Sequence, residues 1–398
     1  MTAQKALPTW FPYVFWASAL CLVVLSGAAA WLQQSVTGHQ TPTTTQTSSY
    51  APLPAEPADT SQIFEELQHV DMLAIALLDD AKLNEWLGRV GPRLVLREMY
   101  ADRNLSQGSN CHQAAHLIGH NAFTLFGPAA FAAGSEVCQA GYYHGVTERL
   151  IDTLGIENIQ QRLTDLCGTV DTPFAKFQCY HGAGHGVMGH VEYDLPKALE
   201  ICGTIPTQQY AKNCYGGVFM ENIVAKLDPE KASAHQTVWL SQDPHFPCNA
   251  VNQNADVQES CYSMQTTWLN TLVDYDQARV GQLCTQAPAA YVATCMQSIG
   301  RESIGKHNYE AKGMVGDCTR AAGPAHFDDC IAGGLKVIMD FYGTKLDQEA
   351  IGVCTLLPTG HQARCFRTLY DYSERHFPGR AAQQQCQYFP KAYQNFCT

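Results

Sequence analysis

Histidine and glutamate follow four of the cysteines, mostly at four-residue intervals. Cys111 is followed by His112, His116 and His120, Cys138 by His144 and Glu148, Cys179 by His181 and His185, and Cys214 by Glu221. Residues four apart share one face of a helix. Aligning the segments on their cysteines, with one residue of slip in the first, makes His116, His144 and His185 equivalent. The same alignment matches His112 with His181 and His120 with Glu148. Converging imidazoles with one or two carboxylates are the ligands of a divalent transition metal: Zn²⁺, Fe²⁺, Mn²⁺ or Cu²⁺. At a helical rise of about 1.5 Å per residue, His112 and His120 stand ~12 Å apart and cannot share one ion. Either one ion takes His116, His144 and His185, or two ions share the wider set with His112, His120 and His181. An open position would activate water for hydrolytic or oxidative chemistry, with Glu148 or Glu221 as base. A closed four-ligand site would be structural. Each His/Glu pair alone is an ordinary helix pair worth about 0.2–0.5 kcal/mol, so the expectation rests on the whole set. Tyr142, Tyr143, Tyr180 and Tyr215 beside these positions read as helix packing, with hydrogen bonds to the ligands as the alternative.

The elements that must position these residues are marked by cysteine. Seven pairs follow one another along the chain, with ten to twelve residues between the members of each. They are Cys167 with Cys179, Cys202 with Cys214, Cys248 with Cys261, Cys284 with Cys295, Cys318 with Cys330, Cys354 with Cys365, and Cys386 with Cys397. Cys111 and Cys138 stand outside that rule and are expected to bond to each other. Six pairs enclose a proline: Pro173, Pro206, Pro288, Pro324, Pro358 and Pro390. Proline at a first helical turn gives up nothing, because that N–H has no intrahelical acceptor. The spacing predicts a helix ending near the first cysteine, a short loop, and a new helix from the proline, with the bridge stapling the two. Ile159, Leu163 and Leu166 have the helical period expected before Cys167.

The expected fold is therefore all-α: a right-handed array of αα-hairpins of about 35 residues, stapled within each repeat. In architecture alone it resembles α/α solenoids of the tetratricopeptide and Sel1-like kind. The signature residues of those repeats are absent, so no family follows.

Residues Trp10 to Leu32 form an uncharged run of 23, long enough to span a bilayer core of roughly 30 Å. Lys5 is the only basic residue before it, which places the N-terminus inside and the remainder outside. The chain is read as membrane-anchored through this helix, facing the periplasm or the extracellular side. A cleaved signal peptide ending near Ala28-Ala29-Ala30 is the alternative and would make it secreted. The expected organisation is an anchor at 1–32, a Thr/Pro/Ser-rich linker at 33–60, and a helical domain at 61–398. That domain divides into a helical cap (61–110), His-rich repeats (111–223) and further stapled repeats (224–398). Export and an even number of cysteines beyond Cys21 favour disulfides over free thiols.

The 398-residue chain has 25 Lys plus Arg against 37 Asp plus Glu, a formal charge of −12. That balance argues against nucleic acid as a partner, since such binding needs cations against phosphate. No GxSxG, Walker or HExxH motif occurs; Gly184 to Gly189 matches GxGxxG by letter but falls in an expected helix. The repeats after Cys248 lack the histidine pattern. They carry Trp268, Arg301, Glu302, Asp340 and Tyr342 instead, and are read as a surface for a protein or peptide partner. A scaffold without enzymatic activity is the competing reading.

Overall fold

The computed structural model describes residues 50–398, apart from 56–60, 68, 102–108, 228–236, 252, 343–347, 379–384 and 398. Among the described residues the secondary structure is helical, with no strand. The expected anchor at 1–32 lies outside them, as does the linker except for 50–55. No helix among the described residues is long and apolar enough to cross a membrane.

The described chain opens with α1 (Ser61–Leu67), α2 (Met72–Leu78), α3 (Asp80–Val90) and α4 (Pro92–Ala101). Asp71 and Asp79 start α2 and α3 by accepting the N–H groups of Ala74 and Lys82, donors that otherwise have no partner in a first turn. Pro92 cannot continue α3 and opens α4 instead.

Next come α5 (Ser109–Phe126), α6 (Gly141–Leu154), α7 (Ile159–Cys167), α8 (Pro173–His190), α9 (Leu195–Gly203) and α10 (Gln208–Leu227). The later part holds α11 (Ala255–Leu272), α12 (Gln277–Thr285), α13 (Val292–Lys306), α14 (Ala311–Tyr342), α15 (Gln348–Leu356) and α16 (Thr359–His376). The α8 start is written in its sequence. Pro173 takes the first helical position and Thr172 Oγ1 accepts from Ala175 N at 3.0 Å. Helix α14 is broken at Gly323, whose φ of 56° precedes Pro324.

All eight cysteine pairs expected from the spacing are at bonding distance. Four of them tie a short helix to the long one after it. Cys167 and Cys179 join α7 to α8, and Cys202 and Cys214 join α9 to α10. Cys284 and Cys295 join α12 to α13, and Cys354 and Cys365 join α15 to α16. A fifth follows the same pattern where two helices meet at the kink in α14, and the other three depart from it. Cys318 and Cys330 connect the two halves of α14 across the break. Cys248 lies in a turn rather than at a helix end, so its bond to Cys261 fastens that turn to α11. Cys386 bonds to Cys397, which ends a short 3₁₀ helix (Lys391–Cys397) where a full α-helix was expected. Cys111 in α5 bonds to Cys138 in the turn before α6. So many bridges point to an oxidising compartment outside the cytoplasm.

The turns leading into the short helices share a device. Glu192-Tyr193, Asp274-Tyr275 and Asn308-Tyr309 are each two successive left-handed residues. In each, the tyrosine N–H donates to the carbonyl five residues back, those of Met188, Asn270 and Ile304.

The long helices α5, α6, α8, α10, α11, α13, α14 and α16 pack each on the next in chain order, and α16 returns to touch α8. The Phe377 ring, just past α16, lies 5.0 Å from that of Phe174 in α8. Glycine sets the closest approaches. A methyl group at Gly145 in α6 would collide with the His116 carbonyl in α5, and one at Gly217 in α10 with the His181 carbonyl in α8. The histidine-bearing backbones are thus brought together by missing side chains.

Candidate metal centre

Helices α5, α6, α8 and α10 frame one cluster, into which the first three carry five of the six expected histidines. His144 sits in the middle. Its ring centre is 5.1 Å from His112, 5.9 Å from His116, 5.1 Å from His181 and 5.6 Å from His185. His120 is not part of it. It lies one turn further along α5, partly exposed, 3.7 Å from Asp152.

The tightest constellation in the cluster is not three imidazoles. One oxygen of Glu148, one nitrogen of His185 and one oxygen of Glu221 lie within 4.8 Å of one another. His185 Nδ1 is 2.9 Å from Glu221 Oε2 and 3.9 Å from Glu148 Oε1. His185 and Glu221 are buried, and Glu148 is half-buried. The equivalence of His116, His144 and His185 expected from alignment brings these rings into one space. Both carboxylates expected as bases stand where ligands would.

Neighbouring groups hold this geometry. Tyr193 donates its hydroxyl to Glu221 Oε1 at 2.9 Å. His116 Nε2 is 3.3 Å from Glu148 Oε1. His185 Nε2 is 3.3 Å from His181 Nε2, and His181 is also hydrogen-bonded to the Asn213 main chain. A neutral His181 that gives its single N–H to Asn213 leaves Nε2 to accept from His185. His185 then donates its Nε2–H to His181, and its Nδ1 meets Glu221 Oε2 at 2.9 Å and Glu148 Oε1 at 3.9 Å.

Electrostatics favour neutral imidazoles. Burial, then the neighbouring His116, lowers His112 to about 4. Burial and adjacent histidines likewise hold His144 and His181 well below the ordinary value. Burial alone would raise Glu148, but the charge and hydrogen bond of His116 outweigh it and keep the carboxyl below its usual range. His112, His144 and His181 are thereby kept neutral, and Glu148 beside them is kept ionised.

Two further histidines have defined hydrogen bonds. His112 Nδ1 donates to the Cys138 carbonyl at 2.9 Å. His144 Nε2 donates to Gln178 Oε1 at 2.7 Å, and its buried Nδ1 has no partner. Three of the four expected tyrosines point away from the cluster's ligand atoms in their contacts. Tyr142 donates to the Ala130 carbonyl, Tyr143 lies against Phe131, and Tyr180 stacks on Tyr210.

Sequence reasoning missed Tyr193 and Gln178. Tyr193 had a signal: it precedes Cys202 by nine residues, as Tyr275 precedes Cys284 and Tyr309 precedes Cys318. Gln178 had none beyond its place before Cys179.

A cavity of about 500 Å³ adjoins the cluster. His112, His144 and His181 line it on one side, and Arg301, Glu302 and Asp340 from later helices on another. A larger cleft of about 590 Å³, near Glu136 and Thr172, touches none of the five clustered histidines. No protein-family model, curated protein or solved structure matches this chain.

Proposed function

We propose that this is an exported metalloprotein whose divalent ion is held by Glu148, His185 and Glu221. The observation that carries the reading is the convergence of those three ligand atoms within 4.8 Å inside a helical core. Two carboxylates and one imidazole suit Zn²⁺, Fe²⁺ or Mn²⁺, and Cu²⁺ less well. Three protein ligands leave room for water on the ion, which is the condition for hydrolytic or oxidative chemistry. In this reading Glu148 and Glu221 are ligands, and His116 and Tyr193 orient them.

Location and architecture follow the same line. Sixteen cysteines engaged in eight bridges and the uncharged run from Trp10 to Leu32 support export, with that run as a membrane anchor. The recurring bridge, tyrosine turn and long helix support a repeat array. The scaffold reading is the alternative outcome of one experiment. Untagged protein is analysed for metal as isolated and after loading with Zn²⁺, Fe²⁺ or Mn²⁺, beside Glu148→Gln, His185→Gln and Glu221→Gln. A stoichiometric ion in the parent that is lost in each variant is expected. A folded parent that retains no ion under any loading overturns the metal reading in favour of the scaffold.

A further inference from the structure

Three histidine–carboxylate pairs lead from the surface into the core. His120 Nε2 and Asp152 Oδ2 are 3.7 Å apart, with side chains 34% and 47% exposed. One turn earlier on both helices, His116 Nε2 and Glu148 Oε1 are 3.3 Å apart, with side chains 15% and 17% exposed. His185 and Glu221 end the series, with side chains 8% and 5% exposed. The first two pairs are spaced by the helices themselves. His116 and His120, like Glu148 and Asp152, stand four residues apart on one face, a step of about 6 Å. The last two pairs are joined by one atom: Glu148 Oε1 lies 3.3 Å from His116 Nε2 and 3.9 Å from His185 Nδ1. All three carboxylates act on one hydroxyl, since burial, then Glu221, Glu148 and Asp152, hold Tyr193 protonated. Neither of the two large cavities is lined by Glu148, His185 or Glu221. Of those three, Glu148 alone is not fully buried, and it is the one that meets His116.

We propose, building on the metal reading of Glu148, His185 and Glu221, that His120 and Asp152 form an entry site for the metal centre. A hydrated divalent cation is first captured there and passes inward over His116 and Glu148 to its final ligands. Two donors each about 2.0–2.2 Å from an ion can stand up to ~4 Å apart, and both outer pairs meet that limit. Taking a charge out of water in one step is expensive. Successive pairs replace the water around the ion a little at a time. Carboxylates lining the approach also attract the cation and raise its rate of arrival. The outer pair is not among the final ligands. It therefore sets how fast the ion comes and goes, not how tightly it is held.

The test is stopped-flow kinetics of the full chain with Zn²⁺. Uptake is followed with a chromophoric indicator of the free ion, and release by mixing the loaded protein with excess EDTA. A variant combining His120→Ala with Asp152→Asn should take up and release Zn²⁺ about fivefold or more slowly, with affinity within about twofold of the parent. Both residues are exposed at the helix surface, so the variant keeps the core intact. Asp371→Asn removes a carboxylate of similar exposure on α16 and should match the parent in both rates. Parent-like rates in the double variant overturn the proposal. So does faster release with unchanged uptake, which makes the pair a support for the final site. Equal slowing in Asp371→Asn reduces the effect to net charge and overturns it too. A parent that binds no Zn²⁺ takes down the metal reading and the entry site with it, whereas a parent that binds Zn²⁺ at rates indifferent to the outer pair takes down the entry site alone.

Discussion

His185 Nδ1 faces two carboxylate oxygens, and only a proton or a cation between them makes that arrangement stable. With a proton it is a buried charged hydrogen bond. With a cation, both carboxylates turn from acceptors of a proton into ligands. Replacing either oxygen by an amide removes a negative donor without changing shape. Glu221→Gln is therefore expected to weaken Zn²⁺ binding by about a hundredfold or more in competition with a chromophoric chelator, while helix content stays as it was. Tyr193→Phe removes only the hydroxyl that orients Glu221. Losses of outer-shell partners run about 10–100-fold in affinity, so Tyr193→Phe should keep full stoichiometry at saturating metal with affinity reduced within that range. Equal affinity in Tyr193→Phe and parent would show that Glu221 needs no such support. A second buried carboxyl makes a prediction of opposite character. Burial raises Asp340 to about 7, against the opposing pull of the Tyr372 hydroxyl and the Lys336 ammonium. Arg375 also acts on Lys336 and Tyr372. A carboxyl with a raised folded value favours the protonated fold. Its contribution is complete below the unfolded value near 4 and is lost as pH rises through about 7. Asp340→Asn cannot ionise, so its stability relative to the parent should improve between about pH 5 and pH 8 in urea melts. A difference that stays constant or reverses across that range would contradict this account of Asp340.

The close crossings of α5 with α6 and of α8 with α10 exist because Gly145 and Gly217 offer no β-carbon at the contact. Gly217→Ala forces α10 away from the His181 carbonyl, and overpacking of this kind costs about 1–3 kcal/mol. Because His185 is on α8 and Glu221 on α10, the same shift opens the ligand set. Gly217→Ala should therefore lower both the melting temperature and metal affinity. Gly189→Ala, whose added carbon meets nothing within 4 Å, should leave metal affinity unchanged. The pairing of helices was legible before any coordinates because a bridge brings its two Cα atoms close. Cys354 and Cys365, for example, sit 5.4 Å apart, which leaves little choice for residues so near in sequence other than a helix end folded back on the next helix. Spacing did not reveal that Cys248 would sit in a turn or that Cys397 would end a 3₁₀ helix, because a bridge fixes a distance and not the backbone on either side of it. Thr172-Pro173, by contrast, announced the start of α8. The convergence of Glu148, His185 and Glu221 was less legible for a specific reason. Alignment on cysteine assumes that every cysteine enters its helix at the same phase. Cys111 and Cys179 lie inside α5 and α8, but Cys138 precedes α6 in a turn of three left-handed residues, Cys138, Gln139 and Ala140. The phase of α6 is thereby its own. Glu148 stands between His116 and His185, while the position beside His120 is taken by Asp152. Glu221 follows Cys214 by seven residues, where His185 follows Cys179 by six. The two side chains nonetheless approach to 2.9 Å, a contact that spacing alone could suggest but not rank.

Across the described chain, covalent links and apolar contacts hold the helices in different places. Sulfur bridges tie several helices to their neighbours in sequence, and the late helix α16 meets the early helix α8 through aromatic rings. Phe174 and Phe377 are buried there, with His376 5.8 Å from Phe177. The covalent links act within adjacent elements and limit the unfolded chain. They do nothing to specify where α16 ends up relative to α8. That closure depends on apolar burial, and Phe→Ala in such a contact costs about 3–5 kcal/mol. The proposed ligands sit on α6, α8 and α10, none of which needs α16 to reach its neighbours. The cavity is different, since Phe177 on α8 and Asp340 on α14 both line it and α16 packs on both helices. Phe377→Ala should therefore lower stability by about 3 kcal/mol in denaturant melts with metal stoichiometry unchanged. Amide exchange should rise in α16 well before it rises in α5, α6 or α10. Uniform exchange along the chain in that variant would mean that the early and late helices unfold as one unit, and that the metal centre cannot be treated apart from the closure that brings α16 home.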